Sequence, residues 1–234
     1  MADSLAGARI AQRPSPNCGA RRGEITGPDM VVLHYTAMQS AQAAIDRLCD
    51  PEAQVSAHYL IARDGEVVQM VDEAARAWHA GAGRWAGCDD INSRSIGIEL
   101  DNDGASPFSA PLMDALERLL PPILARWDIP VHHVIAHSDL APARKCDPGR
   151  RFDWRRLARG GLAIWPEQGA EDAPLAQSLQ SLGYDVEGFG LEACLDAFRQ
   201  RFAPMRHGAE TVQDRSAAAW LAARFAVDPW QGSS

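Results

Sequence analysis

The chain has no CxxC pair. Its cysteines, Cys18, Cys49, Cys88, Cys146 and Cys194, are scattered and odd in number, which excludes a complete intramolecular disulfide framework and points to a reducing compartment. It also has no stretch near the roughly 20 apolar residues that a membrane span requires. The opening MADSLAGARIAQRPSPNC carries neither the basic start nor the apolar core of a secretion signal. A cytoplasmic protein without membrane contact is therefore expected, or a periplasmic one if the sequence is already processed. A basic excess is missing too: the formal net charge of −8 disfavours a nucleic-acid binder, whose phosphate contacts need a positive surface.

The 234 residues are 46% hydrophobic and 23% charged, enough for a sizeable core in one large domain or in a domain with an appendage. The stretch to about Gly27 has no clear period and reads as irregular chain. Met30 to Leu33 is a short apolar run with β-branched residues, a buried strand that delivers His34 at its end. Ser40 is placed to cap a helix through about Leu48, which Asp50-Pro51 stops. Arg63-Asp64-Gly65-Glu66 lies between the apolar runs 58–61 and 67–70, a hairpin signal. In Ser95-Ile96-Gly97-Ile98-Glu99-Leu100 the alternation puts Ile96, Ile98 and Leu100 on one face and Glu99 on the other.

Leucines recur at helical spacing from Ala110 to about Trp127, with Pro121-Pro122 expected to kink that helix. Val131–Ala136 reads as a strand ending at His137, with His132 and His133 pointing to opposite faces. Gly160-Gly161 closes a short basic helix, and Trp165 to Gly169 reads as a linker. Three further helices are expected at about 173–182, 190–202 and 211–225.

His34, His137 and Asp147 offer two imidazoles and one carboxylate, a donor set that can hold zinc with one position open. The ten-residue interval in HSDLAPARKCDP is long for a helical pair and suits a strand end followed by a loop that folds back, unlike a helix-borne zinc motif. For either histidine alone, an ordinary hydrogen-bonded role is the alternative.

In order, VVLHYTAM, VSAHYLIARDGEVVQMV, AWHAG, SIGIEL and HSDLAPARKCDPG resemble the zinc-dependent N-acetylmuramoyl-L-alanine amidases of the AmpD/AmiD group, over roughly residues 25 to 160. The resemblance implies an α/β fold, a mixed central β-sheet flanked by helices, with the metal in a surface groove. It implies Zn2+ held by His34, His137 and Asp147, Glu99 as the catalytic carboxylate that shuttles protons, and Lys145 as the oxyanion's partner. Cys146 is also a possible zinc ligand by chemistry, but the register of the resemblance selects Asp147. His79 and Arg144 are the candidates for substrate binding, Arg144 towards stem-peptide carboxylates. His58 reads as a buried structural residue, and the arginines of 150–159 as a solvated basic helix.

The tail LAQSLQSLGYDV…LEACLDAFRQRF resembles a helical peptidoglycan-binding module, although GFGLEACL and MRHGAETVQ depart from its usual turn positions. The division expected is 1–167 for the amidase and 168–234 for a small all-α C-terminal domain. The function implied is cleavage of the amide between the lactyl group of N-acetylmuramic acid and the L-alanine of the stem peptide, in muropeptides, including anhydro forms, or in peptidoglycan. The alternatives are a non-catalytic peptidoglycan-binding or sensing protein of the same fold and a zinc peptidase.

Overall fold

The computed structural model describes residues 10–23, 25–167 and 172–228. Along them run β1 (Ala11–Gln12), β2 (Cys18–Gly19), β3 (Met30–Tyr35), α1 (Ala41–Leu48), β4 (Tyr59–Ile61), β5 (Val67–Gln69) and β6 (Arg76–Ala77). Then come α2 (Ile91–Arg94), β7 (Ser95–Leu100), α3 (Ala110–Trp127), β8 (Val134–Ala136), α4 (His137–Leu140) and α5 (Trp154–Arg159). The described residues end with four helices: α6 (Leu175–Ser181), α7 (Val186–Phe189), α8 (Leu191–Phe202) and α9 (Val212–Phe225). The fold is α/β, with a six-stranded sheet in the order β1-β5-β4-β7-β3-β8 and a small two-stranded sheet, β2-β6. The sheet is mixed: β3, β7 and β4 run parallel, and β5 is antiparallel to β4.

Strand register decides what each face carries. Val31, Leu33 and Tyr35 pair with Ile96, Ile98 and Leu100, and Tyr59 and Ile61 pair with the same Ile98 and Leu100. On the opposite face, His34 is level with Glu99, Glu99 with Leu60, and Leu60 with Val68. Because side chains alternate along a strand, this puts two polar residues in one row with two aliphatic ones. Leu60 and Val68 bury the stripe Ala44, Ile45 and Leu48 of α1. The start of α1 is fixed as expected, with Ser40 accepting from the Ala43 N–H.

The other long helix, α3, presents Leu112, Leu116, Leu119, Leu120, Ile123 and Leu124 to the interior. Pro121 and Pro122 remove two N–H donors, yet the helix continues as one element through Trp127, because this buried stripe holds both sides of the pair. Below it, Glu73 accepts from the Tyr59 hydroxyl at 2.6 Å, from Arg126 at 2.8 Å and from the Trp127 indole at 2.5 Å. These donors hold the Glu73 carboxyl below its usual range despite burial.

Three expectations change. The first segment is not irregular throughout: β1 pairs with β5, and β2 with β6. Arg21, just after β2, donates to the carbonyls of Glu73, Ser93 and Ser95, and burial lowers its pKa to about 10. Residues 131–133 form a 3-10 turn after Pro130 rather than a strand, so strand alternation does not govern His132 and His133. There His133 Nδ1 lies 2.8 Å from the Asp29 carbonyl. Among the described residues the tail carries four helices, the extra one being the single turn α7. The boundary expected near residue 168 lies outside the described residues.

By compactness the chain divides into one unit that runs to Gly81 and includes Asn92–Ile135, and a second formed by Ala82–Ile91 and everything from Ala136 onward. The second unit is held by aromatic packing and buried ion pairs. Trp85 and Tyr184 meet edge to face at 4.9 Å, and Phe198 and Phe202 stand 4.8 Å apart. Asp139 in α4 accepts from Arg201 of α8 at 2.9 Å, from the Tyr184 hydroxyl at 2.6 Å and from the Ala136 N–H at 2.9 Å. Asp214 of α9 is held by Arg199, Arg206 and Thr211.

Candidate metal centre

His34 sits inside β3, not past its end, and is buried. Its strand neighbours Leu33 and Tyr35 face away from it, so the imidazole is the polar exception in an apolar run and stands level with Glu99 on the next strand. Glu99 itself is half-buried. It shares a face with Ser95 and Gly97, two small residues over which the His79 ring lies.

The second set of groups comes from the eleven residues that follow β8. His137 opens α4, and the chain then turns back so that the Ser138 N–H donates to the Asp147 carbonyl at 3.0 Å. That closure accounts for the ten-residue interval. It brings His137 Nδ1 within 2.9 Å of Asp147 Oδ2, with both residues buried. The two side chains hydrogen-bond each other at that distance, and each carries a donor atom of a kind that zinc accepts. One ligand atom from each of His34, His137 and Asp147 lies within 4.8 Å of the others. Two neutral imidazoles and one carboxylate match the donor preference of a divalent zinc-like ion and leave such an ion a net positive charge.

The same loop carries the remaining candidates. Lys145 is half-buried, and its N–H bonds to the Ala141 carbonyl at 2.9 Å. It is the only lysine in the chain; every other member of the Lys+Arg set is arginine. Arg144 is exposed and donates to the Ala82 carbonyl. Cys146 is exposed, and it is Asp147, not Cys146, that falls in the potential ligand group. Arg150 turns to the C-terminal helices and bonds the Pro204 and Arg206 carbonyls at 3.0 and 3.2 Å. In α5, Arg155 and Arg159 are exposed, consistent with a solvated basic helix.

His79 belongs to this centre in a way the sequence did not indicate. Its Nδ1 lies 3.0 Å from His34 Nε2, and its Nε2 lies 3.0 Å from Ser95 Oγ. A serine opening a strand gives no sequence signal of this role; Gly97 in mid-strand does, since such glycines mark a close approach. His58 is structural: Nδ1 accepts from the Gly97 N–H at 2.9 Å, so Nε2 carries the proton and donates to the Ala75 carbonyl at 3.1 Å. Burial pushes its pKa down to about 4.

A family profile described as N-acetylmuramoyl-L-alanine amidase matches residues 24–150, more than half of the chain and the stretch that holds every residue of this centre. The chain belongs to that amidase family. It is similar to N-acetylmuramoyl-L-alanine amidase AmiD of Escherichia coli (strain K12), 36% identical over 188 residues, which are 68% of this chain and 67% of that protein. It is also similar to 1,6-anhydro-N-acetylmuramyl-L-alanine amidase AmpD of Enterobacter cloacae, 35% identical over 170 residues, 65% of this chain and 89% of that one. Among solved structures, the complex of the E. coli amidase AmiD with anhydro-N-acetylmuramic acid-L-Ala-D-gamma-Glu-L-Lys matches with a TM-score of 0.77 at 31% identity, covering 88% of this chain and 94% of that chain. Family membership makes the protein a hydrolase of the amide between the muramoyl lactyl group and the stem-peptide L-alanine. No helix among the described residues is long and apolar enough to cross a membrane.

Proposed function

We propose that the amidase uses a zinc ion held by His34, His137 and Asp147, with Glu99 and Lys145 as its catalytic residues and soluble anhydromuropeptides as substrate. The observation that carries this reading is the grouping of those three buried side chains in a chain whose strand register sets Glu99 level with His34. Zinc, when bound, supplies Lewis acidity that polarises the scissile carbonyl and acidifies water. Glu99 takes one proton from the attacking water as oxygen bonds to the carbonyl carbon. It then passes that proton to the alanine nitrogen as the carbon–nitrogen bond breaks, so the products are a free lactyl carboxyl and a free peptide amine. Lys145, a fixed positive charge two residues before Asp147, stabilises the oxyanion. Arg144 meets a carboxylate of the stem peptide.

The anhydro preference is supported by the AmpD relatives and by the substrate in the matching AmiD complex. A cytoplasmic setting is proposed with it, supported by the odd number of scattered cysteines. The division at 167/168 is likewise proposed, with the tail as a helical module.

The test is incubation of the purified protein with anhydro-N-acetylmuramyl-L-Ala-D-γ-Glu-L-Lys, with and without chelator, followed by mass identification of products. Free tripeptide plus intact anhydro sugar, lost on chelation and restored by zinc, is the expected result. Product formation indifferent to chelator would overturn the metal, and tripeptide released only from polymeric wall would overturn the substrate.

A further inference from the structure

The ring of His79 is held more tightly than a groove-lining side chain requires. Its backbone N–H and that of Ala80 both donate to the Asn92 side-chain oxygen, at 3.0 and 2.9 Å. Its imidazole occupies the space above Gly97: a Cβ at that position would stand 2.4 Å from His79 Cγ and 2.7 Å from Nδ1. Real Cβ atoms do not approach so closely, and a ring seated between two partners cannot step aside like the end of a flexible chain. Gly97 is thus the seat of the imidazole, and both ring nitrogens are engaged, with His34 on one side and Ser95 on the other. The His34 and His79 rings meet edge to face, with centroids 5.1 Å apart and planes at 75°.

Proton placement gives this chain a direction. A contact of 3.0 Å between two imidazole nitrogens needs one protonated and one bare nitrogen. If His79 Nδ1 were the donor, the neutral His34 ring would carry its own proton on Nδ1 and offer a metal no lone pair at either nitrogen. If His34 Nε2 is the donor, His34 Nδ1 is the metal-binding nitrogen, His79 Nδ1 accepts, and His79 Nε2 carries the proton that it donates to Ser95 Oγ. Only the second assignment is compatible with His34 as a neutral ligand.

We propose that His79 is a positioning residue that fixes the tautomer and ring orientation of His34, with Ser95 as its far anchor and Gly97 as its seat, and does not bind substrate. The inference rests on the reading of His34 as a metal ligand. Partners that orient a ligating histidine in this way contribute about 10- to 100-fold to metal affinity.

Zinc affinity of the full chain, measured by competition with a chromogenic chelator, separates the possibilities. Thermal melts of the zinc-free proteins accompany it. His79→Leu removes the acceptor and should weaken zinc binding by about 10- to 100-fold. His79→Asn, whose amide oxygen falls near the position of Nδ1, should restore most of that loss. Ser95→Ala should give a smaller loss and alter the visible spectrum of the cobalt-substituted protein, while KM for the anhydromuropeptide stays unchanged in both Ser95→Ala and His79→Asn. Wild-type zinc affinity in His79→Leu, or a raised KM at unchanged affinity, would overturn the proposal in favour of substrate contact. If His79→Leu does not fold, the decision falls to Ser95→Ala, and wild-type affinity and spectrum there overturn it. His34→Ala is the separate control: retention of zinc by that variant removes the metal-centre reading itself, whereas its loss together with wild-type binding in the His79 and Ser95 variants removes only this inference.

Discussion

Replacing Arg201 with methionine tests how the second unit holds the loop that follows β8. Arg201 donates to Asp139 at 2.9 Å, with side-chain exposures of 2% and 0%, and its guanidinium also lies 4.4 Å from the centre of the Trp154 ring. Methionine keeps much of the volume and the apolar contact but leaves a buried carboxylate without its counter-charge. Removing one member of a buried pair costs about 3–5 kcal/mol. The Tyr184 hydroxyl and the Ala136 N–H continue to bond Asp139, which argues for the lower end, about 3 kcal/mol. In a chain of this size each kcal/mol lowers Tm by about 2–4 °C, so a drop of about 6–12 °C is expected. Thermal unfolding followed by circular dichroism reads this directly, and urea unfolding gives the free energy. Asp139→Asn combined with Arg201→Met should cost less than the sum of the two single changes, because the amide no longer buries a charge. A loss below about 1 kcal/mol in Arg201→Met, or strict additivity in the pair, would refute the reasoning: the charges would then be solvated in a way their burial denies.

Three further outcomes are expected. Glu99→Gln should bind zinc as tightly as the native chain while kcat falls by about 10²- to 10⁴-fold; near-native turnover would remove Glu99 from proton transfer. Because Lys145 is the only lysine, acetylation by an amine-directed reagent should abolish turnover in step with modification of that one side chain, as tracked by peptide mass mapping, and turnover that survives full modification would exclude its role. His58, with a pKa near 4 when folded against about 6.5 unfolded, takes up its proton in the unfolded chain first. Its contribution to stability is therefore complete above pH 6.5 and is lost as pH falls towards 4, by about 3 kcal/mol in all. Urea unfolding at pH 7 and pH 4.5 should show the slope, and His58→Gln should flatten it.

What could be read in advance follows from how local the signal is. Ser40 as a cap and Asp64-Gly65 between two apolar runs are encoded within a few residues, and α1 and the β4–β5 hairpin formed where those signals stood. The alternation in Ser95 to Leu100 separated Glu99 from the aliphatic face without any knowledge of the neighbouring strands. What that pattern could not supply was register: only the pairing of His34 with Glu99 puts the carboxylate beside that histidine. The roles of Ser95 and Gly97 are visible only once His79, sixteen residues before Ser95, is seen above them. At His132 and His133 the flanking β-branched residues point to a strand, whereas Pro130 starts a tight turn. In the tail, hydrophobic spacing located the helices, but nothing local in the sequence joins Arg201 to Asp139, 62 positions apart.

Arg21 gives the N-terminal strap a meaning for anyone dissecting this chain. Its guanidinium gathers carbonyls from residues 73, 93 and 95, the last belonging to the serine that anchors His79. The family match begins at residue 24, so a chain trimmed to that match would leave those carbonyls without their common donor. The evolutionary edge of the domain and the mechanical edge of its centre are different places, and the second lies further upstream.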